Sequence, residues 1–177
     1  MKIGVRIAAF ATGTTRQGRS LLVCVVYRNG IVEGILSSTV SVDGTDSSES
    51  IIKSVSGSRF AGQIKLIALN GIAIAGLNVA DIKKLETKLD SDIIIVTRRS
   101  QRHALLIAAL RSKPDGEAKV RMVAEQARLR QKMESGMYFR TTAKGMPRAL
   151  VHASYEALRL AHMIASGIER GESKGRI

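Results

Sequence analysis

The chain opens with alternating apolar and polar positions and later changes to helical periods. Apolar residues recur at every second position over 2–10, which predicts a strand. Residues 11–20 are rich in Gly, Thr and Arg and predict a loop. Two β-rich runs, 21–27 and 31–42, are joined by Arg28-Asn29-Gly30, and Asn-Gly is a strong hairpin signal. The first part of the chain therefore predicts three antiparallel strands.

The rest of the chain alternates helical and strand-like segments. Asp46-Ser-Ser-Glu49 is typical of a helix N-cap, and the helix that follows is predicted to end near Gly57. Further segments are predicted, in order, as a strand over 64–69, a helix over 78–89, a strand over 92–96, helices over 102–110 and 117–134, a strand over 137–142 and a helix over 155–168. This order predicts one α/β domain over residues 1–177, in which helices flank a mixed sheet of three antiparallel strands followed by parallel βαβ units.

One strand end is the leading candidate for a site. The apolar run 64–69 ends at Asn70-Gly71, where a polar side chain precedes a residue that tolerates positive φ. In open α/β sheets, ligands bind at the carboxyl ends of the strands. Gly76 and a helix that begins near Asn78 are expected to close this pocket from the side. We therefore expect the functional site at this edge of the sheet.

The charge of the chain favours a polyanionic partner. There are 28 Lys and Arg residues against 15 Asp and Glu, which gives a formal net charge of +13. Such a protein gains affinity for nucleic acid through counterion release, so DNA or RNA is the expected partner. Aromatic residues make up only 3% of the chain, with no Trp, which argues against a stacking platform for single strands. Binding is therefore expected to use phosphates and shape.

Other features restrict the cellular setting. No apolar run approaches the length of a membrane span, and no signal peptide is evident in the first residues. The single cysteine, Cys24, lies in an apolar run and is expected to be a buried, inert thiol, so that neither a disulfide nor a zinc site is predicted. We expect a cytoplasmic protein with no membrane partner.

Six segments occur in the order typical of one known family. They are Gly4-Val5-Arg6, Thr39-Val40-Ser41-Val42-Asp43-Gly44, Leu69-Asn70-Gly71-Ile72-Ala73, Val96-Thr97-Arg98-Arg99, Leu158-Arg159-Leu160-Ala161-His162 and the closing residues 170–176. With these segments the chain resembles, over essentially its whole length, an archaeal family of endonuclease-V-like proteins. The resemblance implies a ribonuclease-H-like fold and a distant relation to endonuclease V, which uses Mg²⁺ to cut near deaminated purines.

The resemblance also implies where the metal ligands of such an enzyme belong. Enzymes of this fold hold Mg²⁺ with carboxylates at the ends of adjacent central strands. In this chain the first position corresponds to Arg6, the second to Asn70 and the third to Asp43, with Asp46 as a competitor, while His162 matches a ligand on the last helix. An arginine cannot ligate a metal. We therefore expect a degenerate site, with Arg6 paired to Asp43 and hydrogen-bonded to Asn70, Asp43 as a weak metal ligand at most, and no bound cofactor.

Three classes of function remain open on these grounds. The leading hypothesis is a catalytically inactive nucleic-acid-binding protein on an endonuclease-V-like fold. The first alternative is a Mg²⁺-dependent endonuclease that acts on DNA or RNA through Asp43, Asp46 or Glu49 together with His162. The second alternative is a scaffold protein whose basic surface binds an acidic protein partner.

Four arginines are candidates for contacts with nucleic acid. Arg98 and Arg99 follow the carboxyl end of a predicted strand, and with Arg102 they can form a phosphate clamp. Arg159 lies on the polar side of the predicted last helix. The alternative for the first three is a solvated basic loop.

Overall fold

Alternating apolar residues build the first three strands into an antiparallel meander. The computed structural model describes residues 4–98 and 103–173, and in it β1 is Arg6–Arg16, β2 is Arg19–Arg28 and β3 is Ile31–Ser41. The turns Gln17-Gly18 and Asn29-Gly30 have positive φ at both residues. Turns of this kind match the twist of the strands that they join, which explains two such tight connections between long strands.

The remaining elements complete a seven-stranded mixed sheet. They are, in order, α1 (Ser47–Ser56), β4 (Ile64–Leu69), β5 (Ala73–Ala75), β6 (Asn78–Val79), α2 (Ile82–Leu89), β7 (Asp92–Thr97), α3 (His103–Arg111), α4 (Gly116–Ala127), β8 (Lys132–Glu134), β9 (Met137–Thr141) and α5 (Arg148–Arg170). The sheet order is β3-β2-β1-β4-β7-β9-β8, with β1, β4 and β7 parallel and β9 antiparallel to β7. This is the predicted ribonuclease-H-like arrangement, and the predicted fold class is confirmed.

Helices cover both faces of the central strands. On one face, Ile51 of α1 and Leu85 of α2 are fully buried and belong to the same core cluster as Phe10. On the other face, Ala161 and Ala165 of α5 are fully buried against β1 and β2. Because β4 and β7 are buried on both sides, they appear in the sequence as short, nearly continuous apolar runs rather than as alternating patterns.

The first strand is longer than predicted. The residues predicted as a loop over 11–20 instead extend β1 to Arg16 and start β2 at Arg19. Thr12 pairs with Leu22 and Thr15 with Ser20, so the two strands stay paired almost to the turn. Threonine is β-branched and suits a strand, which outweighs the loop tendency of the glycines.

Three helix boundaries also differ from the prediction. The helix predicted from 78 begins at Ile82, because Asp81 caps it by accepting the Lys84 backbone N–H, and residues 73–79 form the small β5–β6 hairpin instead. The helix predicted over 117–134 ends at Ala127, and β8 pairs with β9. The last helix begins at Arg148, well before the predicted residue 155.

The burial of Cys24 and the apolar character of the helices bear on the environment of the chain. Cys24 is 1% exposed, and burial raises the pKa of its thiol, so the predicted buried cysteine is confirmed. Among residues 4–98 and 103–173, no helix combines the length and the apolar character needed to cross a bilayer.

Candidate functional site

A cavity of about 200 Å³ opens where β1 and β4 approach the carboxyl edge of the sheet. We call it the β1–β4 cavity. Its lining residues are Phe10, Ala11, Thr12, Asn70, Ala73, Ile74 and His162. The two strands are parallel, with Phe10 beside Leu69, so equivalent positions of both central strands meet here. The cavity lies at the sheet edge that the sequence singles out.

Ala11 and Asn70 occupy neighbouring positions in this cavity. Phe10 is paired with Leu69 across the two strands, and Ala11 and Asn70 are the residues that directly follow them. Phe10 packs toward α1 and α2, and because side chains alternate along a strand, Ala11 is directed to the opposite face, where it packs against α5. Ala11 is 5% exposed, whereas Asn70 is exposed. The residue next to Asn70 across the sheet is therefore residue 11 and not residue 6.

The remaining polar groups of the cavity come from α5 and from β1. His162 projects from α5, and its Nε2 atom lies 3.4 Å from the Ser166 hydroxyl one turn later. The Thr12 hydroxyl donates to the Ile74 carbonyl oxygen at 2.7 Å, which ties β1 to β5. The cavity thus presents an amide, an imidazole and a hydroxyl that is already engaged.

This set of groups does not fit Mg²⁺. The ion prefers an octahedron of oxygen ligands that includes one or two carboxylates, and none of the described residues that line the cavity carries a carboxylate. Throughout residues 4–98 and 103–173, no three His, Cys, Asp or Glu side chains are grouped so that they could hold a metal. The chemistry of the lining residues therefore differs from that of a metal-dependent nuclease of this fold.

Arg6 lies at the other end of β1, and its predicted contacts with Asp43 and Asn70 are wrong. β1 begins at Arg6, whereas Asn70 and Asp43 follow the carboxyl ends of β4 and β3. β3 is parallel to β1, since both are antiparallel to β2. The length of the sheet therefore separates Arg6 from both residues.

The charge of Arg6 is satisfied at the amino end of the sheet. Its Nε donates to Glu33 Oε2 at 2.5 Å, and its Nη1 donates to Gln63 Oε1 at 2.6 Å. The guanidinium carbon lies 5.6 Å from the centre of the Phe60 ring. The hydrogen bond from Arg6, aided by one from Arg28, holds the pKa of Glu33 below its ordinary value. Arg6 is a structural residue in this arrangement.

Asp43 joins three parts of the chain through hydrogen bonds and an ion pair with Leu77, Lys113 and Lys119, and we call this set of contacts the Asp43 latch. Its Oδ1 accepts the Leu77 backbone N–H at 2.8 Å, and its Oδ2 lies 3.2 Å from Lys113 Nζ. Lys119, which is 2% exposed, donates from Nζ to the Asp43 carbonyl oxygen at 2.7 Å. The hydrogen bond from Leu77, followed by that from Lys113, keeps the pKa of Asp43 below its ordinary value. Asp43 does not line the β1–β4 cavity, so the structure does not bring it together with His162.

The alternative carboxylates have partners as well. The oxygens of Asp46 accept the Ser41 backbone N–H at 3.1 Å, the Ser41 hydroxyl at 2.9 Å and the Asn78 amide at 2.7 Å. Burial raises the pKa of Asp46, but these hydrogen bonds outweigh burial, and the pKa lies below its ordinary value. Glu49 forms an ion pair with Lys84. Neither carboxylate lines the β1–β4 cavity.

The candidate phosphate-binding arginines are only partly described. Arg98 directly follows β7, at the same edge of the sheet as the β1–β4 cavity. Arg99 and Arg102 lie outside the described residues. On α5, Arg159 contacts Glu156 Oε2 with Nε at 3.1 Å and with Nη2 at 3.0 Å, and its Nη1 lies 3.1 Å from the Met163 sulfur. A neighbour on the same helix therefore offsets part of the Arg159 charge.

Sequence reasoning missed the cavity residues Ala11 and Thr12. A signal was present, because Thr12 and Thr14 continue the alternation beyond Phe10 and the Gln17-Gly18 pair suits a tight turn. The latch at Asp43 carried no such local signal, since its lysines lie about seventy positions further along the chain.

Comparisons with known proteins agree with this fold. The sequence profile described as Endonuclease dU matches residues 3–169. A UPF0215 protein from Methanothermobacter thermautotrophicus is 35% identical over 88% of this chain and 81% of its own length. A UPF0215 protein from Pyrococcus furiosus is 32% identical over 98% of this chain and 96% of its own. The crystal structure of a protein of unknown function from Archaeoglobus fulgidus matches with a TM-score of 0.82 at 28% identity, covering 93% of this chain and 98% of that one. The predicted resemblance to an archaeal endonuclease-V-like family is confirmed, and the chain belongs to the endonuclease dU family.

Proposed function

We propose that this chain binds DNA or RNA without cutting it. The observation that carries the proposal is the lining of the β1–β4 cavity. Ala11, Thr12 and Asn70 stand there at the sheet edge where a metal-dependent nuclease of this fold carries its carboxylates. The strand geometry of the fold is retained, while the groups that would hold a divalent ion are replaced by a methyl, a hydroxyl and an amide.

The absence of carboxylates from this lining bears directly on catalysis. Metal-assisted hydrolysis of a phosphodiester uses the ion to activate water and to stabilise the leaving oxygen. A neutral amide and an imidazole do not concentrate the negative charge that attracts Mg²⁺. The sequence suggests Asp43 as a catalytic carboxylate. In the structure this carboxylate instead forms an ion pair with Lys113 and accepts the Leu77 N–H.

The charge of the chain supports the binding part of the proposal. A net charge of +13 favours association with a polyanion through the release of its counterions. Arg98 stands at the same sheet edge as the cavity, and Arg159 lies on the helix that carries His162. We propose both as phosphate contacts, together with Arg99 and Arg102.

An active metal-dependent endonuclease is the second candidate. The description of the family as an endonuclease favours it, as does the presence of His162 in the β1–β4 cavity. In this case the nucleic acid itself would have to supply most of the oxygen ligands of the ion. A scaffold that binds an acidic protein is the third candidate, and it predicts no steep dependence of nucleic acid binding on salt.

One experiment distinguishes these candidates. Labelled DNA and RNA strands and duplexes, with and without deoxyuridine, are mixed with the protein over a series of salt concentrations, in chelator or in Mg²⁺ or Mn²⁺. We expect binding in chelator, with a logarithmic salt slope of about 0.7 to 0.9 per phosphate contact, and intact strands in every sample. Metal-dependent cleavage that is lost in the His162→Ala variant would establish the endonuclease instead. Binding that does not respond to salt would contradict the proposed phosphate contacts.

A further inference from the structure

A second and larger cavity, of about 600 Å³, runs along one outer edge of the sheet. We call it the β3-edge groove. β3 is the terminal strand of the sheet formed by the described residues, so no strand of that part of the chain covers its outer edge, and α1 lies beside it. The groove shares no lining residue with the β1–β4 cavity. It is therefore a separate feature of the surface.

Short hydroxyl side chains dominate the lining of this groove. They are Ser37, Ser38, Thr39, Ser50 and Ser54. Along β3 the side chains alternate, so Ser37 and Thr39 leave one face of the strand and Ser38 leaves the other. From α1, the Ser50 hydroxyl donates to the Thr39 carbonyl oxygen at 3.3 Å, and the Ser54 hydroxyl lies 3.2 Å from that of Ser38. The hydroxyl groups thus follow the strand edge on both sides.

Two cations border the same groove. The Nη2 atom of Arg19 donates to the Thr39 hydroxyl at 2.6 Å, which holds the guanidinium at the groove wall. Lys53 is exposed on α1. Asp46 also lines the groove, but its carboxylate oxygens are occupied by the hydrogen bonds from Ser41 and Asn78 described above.

The turn next to the groove brings a third cation close. Arg16 and Arg19 are directly opposite each other at the end of the β1–β2 hairpin, and both are exposed. Like charges that face each other across a strand pair are destabilising. The Gln17-Gly18 turn nevertheless fixes them in that position. An anion bound between the hairpin tip and the groove would relieve this repulsion.

We infer that the β3-edge groove binds the phosphodiester backbone of a nucleic acid strand, with charge from Arg16, Arg19 and Lys53 and hydrogen bonds from the hydroxyls. This inference rests on the proposed function and assigns to it a second contact surface. Hydroxyl and basic side chains are the groups that contact phosphates and sugars in protein–nucleic acid complexes. A peptide added to the same strand edge would need pockets for its alternate side chains, and among the described residues of the lining only Leu21 is apolar.

The test compares two double variants of equal charge. Arg19→Gln with Lys53→Gln removes the cations of the groove. The matched control, Arg130→Gln with Lys132→Gln, also removes one Arg and one Lys, from exposed positions near β8 at the other end of the sheet. Fluorescence anisotropy with labelled oligonucleotides measures the affinity of the full chain over a salt series. We expect the groove variant to bind every sequence more weakly and to lose about 1.4 to 1.8 from its logarithmic salt slope, while the control keeps the slope of the unaltered protein.

The outcomes separate this inference from the proposed function. If the unaltered protein binds with a steep salt slope and both double variants match each other, the groove assignment is overturned and the proposed function stands. If the unaltered protein shows no salt-dependent binding, the proposed function fails and the groove inference fails with it.

Two further measurements on the unaltered protein complete the test. Oligonucleotide should shift the amide NMR signals of Ser37, Ser38 and Thr39, and unchanged signals would contradict the assignment. Inorganic phosphate or a nucleoside monophosphate should compete far more weakly than a strand at equal phosphate concentration. Equal competition would identify a site for free phosphate and would overturn the assignment to a strand.

Discussion

The Nε atom of Arg6 donates to Oε2 of Glu33 at 2.5 Å, which links β1 to β3 although β2 lies between them. Glu33 occupies a bulge in β3, where the pairing with β2 shifts from Val26–Gly34 to Tyr27–Val32. A bulge redirects the side chain of its extra residue, and here the carboxylate reaches across to Arg6. The ion pair fixes Arg6 at the amino end of the sheet and leaves the β1–β4 cavity without any cation from β1.

This ion pair predicts a dependence of stability on acid. The pKa of Glu33 is lowered in the folded state, first by the hydrogen bond from Arg6, so its contribution is present above the pKa of the unfolded chain and is lost as the pH falls through the folded pKa. Glu33→Gln should therefore lose less stability than the unaltered protein when the pH falls below the ordinary glutamate pKa of about 4.3. Urea unfolding at neutral and acidic pH measures the difference. Glu117→Gln, at an exposed position of α4, is the control, and equal acid sensitivity of Glu33→Gln and the unaltered protein would contradict the assignment.

Gly13 is predicted to be essential for the contact between β1 and α5. A Cβ at this position would collide with Glu169, whose carboxylate accepts the Thr14 hydroxyl at 2.9 Å and the Leu21 N–H at 3.2 Å. Gly13→Ala should lower the free energy of unfolding by about 1–3 kcal/mol, as overpacked positions do. Gly167→Ala in α5, where a Cβ meets nothing within 4 Å, should instead stabilise the protein by about 0.5–1 kcal/mol. A stability loss of the same size in both variants would contradict the proposed collision.

Lys119 is predicted to contribute to stability through both its volume and its charge. It is 2% exposed, and its Nζ contacts the Asp43 carbonyl oxygen and, at 2.7 Å, the Asp115 carboxylate. Lys119→Ala leaves a cavity and should cost about 2–5 kcal/mol. Lys119→Met fills most of that volume but leaves the carbonyl oxygen unsatisfied, so it should cost about 1–3 kcal/mol. Denaturant unfolding that ranks Met as the more damaging substitution would contradict this account.

The position of Ala11 predicts a gain of metal binding. Ala11→Asp combined with Asn70→Asp places two carboxylates side by side in the β1–β4 cavity, where hard oxygen ligands attract Mg²⁺ or Mn²⁺. Titration calorimetry with Mn²⁺ should detect binding to this double variant. Arg6→Asp combined with Asn70→Asp carries the same number of new carboxylates at opposite ends of the sheet and should show no gain. A gain of Mn²⁺ binding in the Arg6→Asp and Asn70→Asp double variant alone would indicate that residue 6, and not residue 11, belongs to the site.

The sequence predicts the sheet because alternating apolar positions and an Asn-Gly turn indicate β1 to β3, and short apolar runs indicate β4 and β7. The run 64–69 was predicted with its observed bounds, and Asn70 follows it at the edge of the β1–β4 cavity. Ala11 was missed because the end of β1 was placed at Phe10, whereas pairing with β2 carries the strand to Arg16. The first ligand position is expected at Arg6 on other grounds, namely its place in the Gly4-Val5-Arg6 segment of the family resemblance.

The partners of Arg6 and Asp43 could not be predicted from local pattern. Glu33 reaches Arg6 through a bulge, and a bulge depends on the pairing of two strands rather than on either sequence alone. Asp43 meets Lys113 and Lys119 because α3 and α4 return to the β5–β6 hairpin, a contact set by the packing of elements distant in sequence. The family resemblance led to the expectation that Arg6 pairs with Asp43, and it indicated neither the Arg6–Glu33 contact nor the Asp43–Lys113 contact.

Whether the chain binds nucleic acid without cutting it is tested by following binding and strand integrity in one sample. Labelled oligonucleotide and the full-length chain are incubated at low salt in chelator and in Mn²⁺, and anisotropy is recorded before the strands are separated on a denaturing gel. We predict binding in both buffers, with no gain in affinity from Mn²⁺, and uncut strands in both. Strands cut only in Mn²⁺, by the unaltered protein and not by His162→Ala, would contradict this prediction.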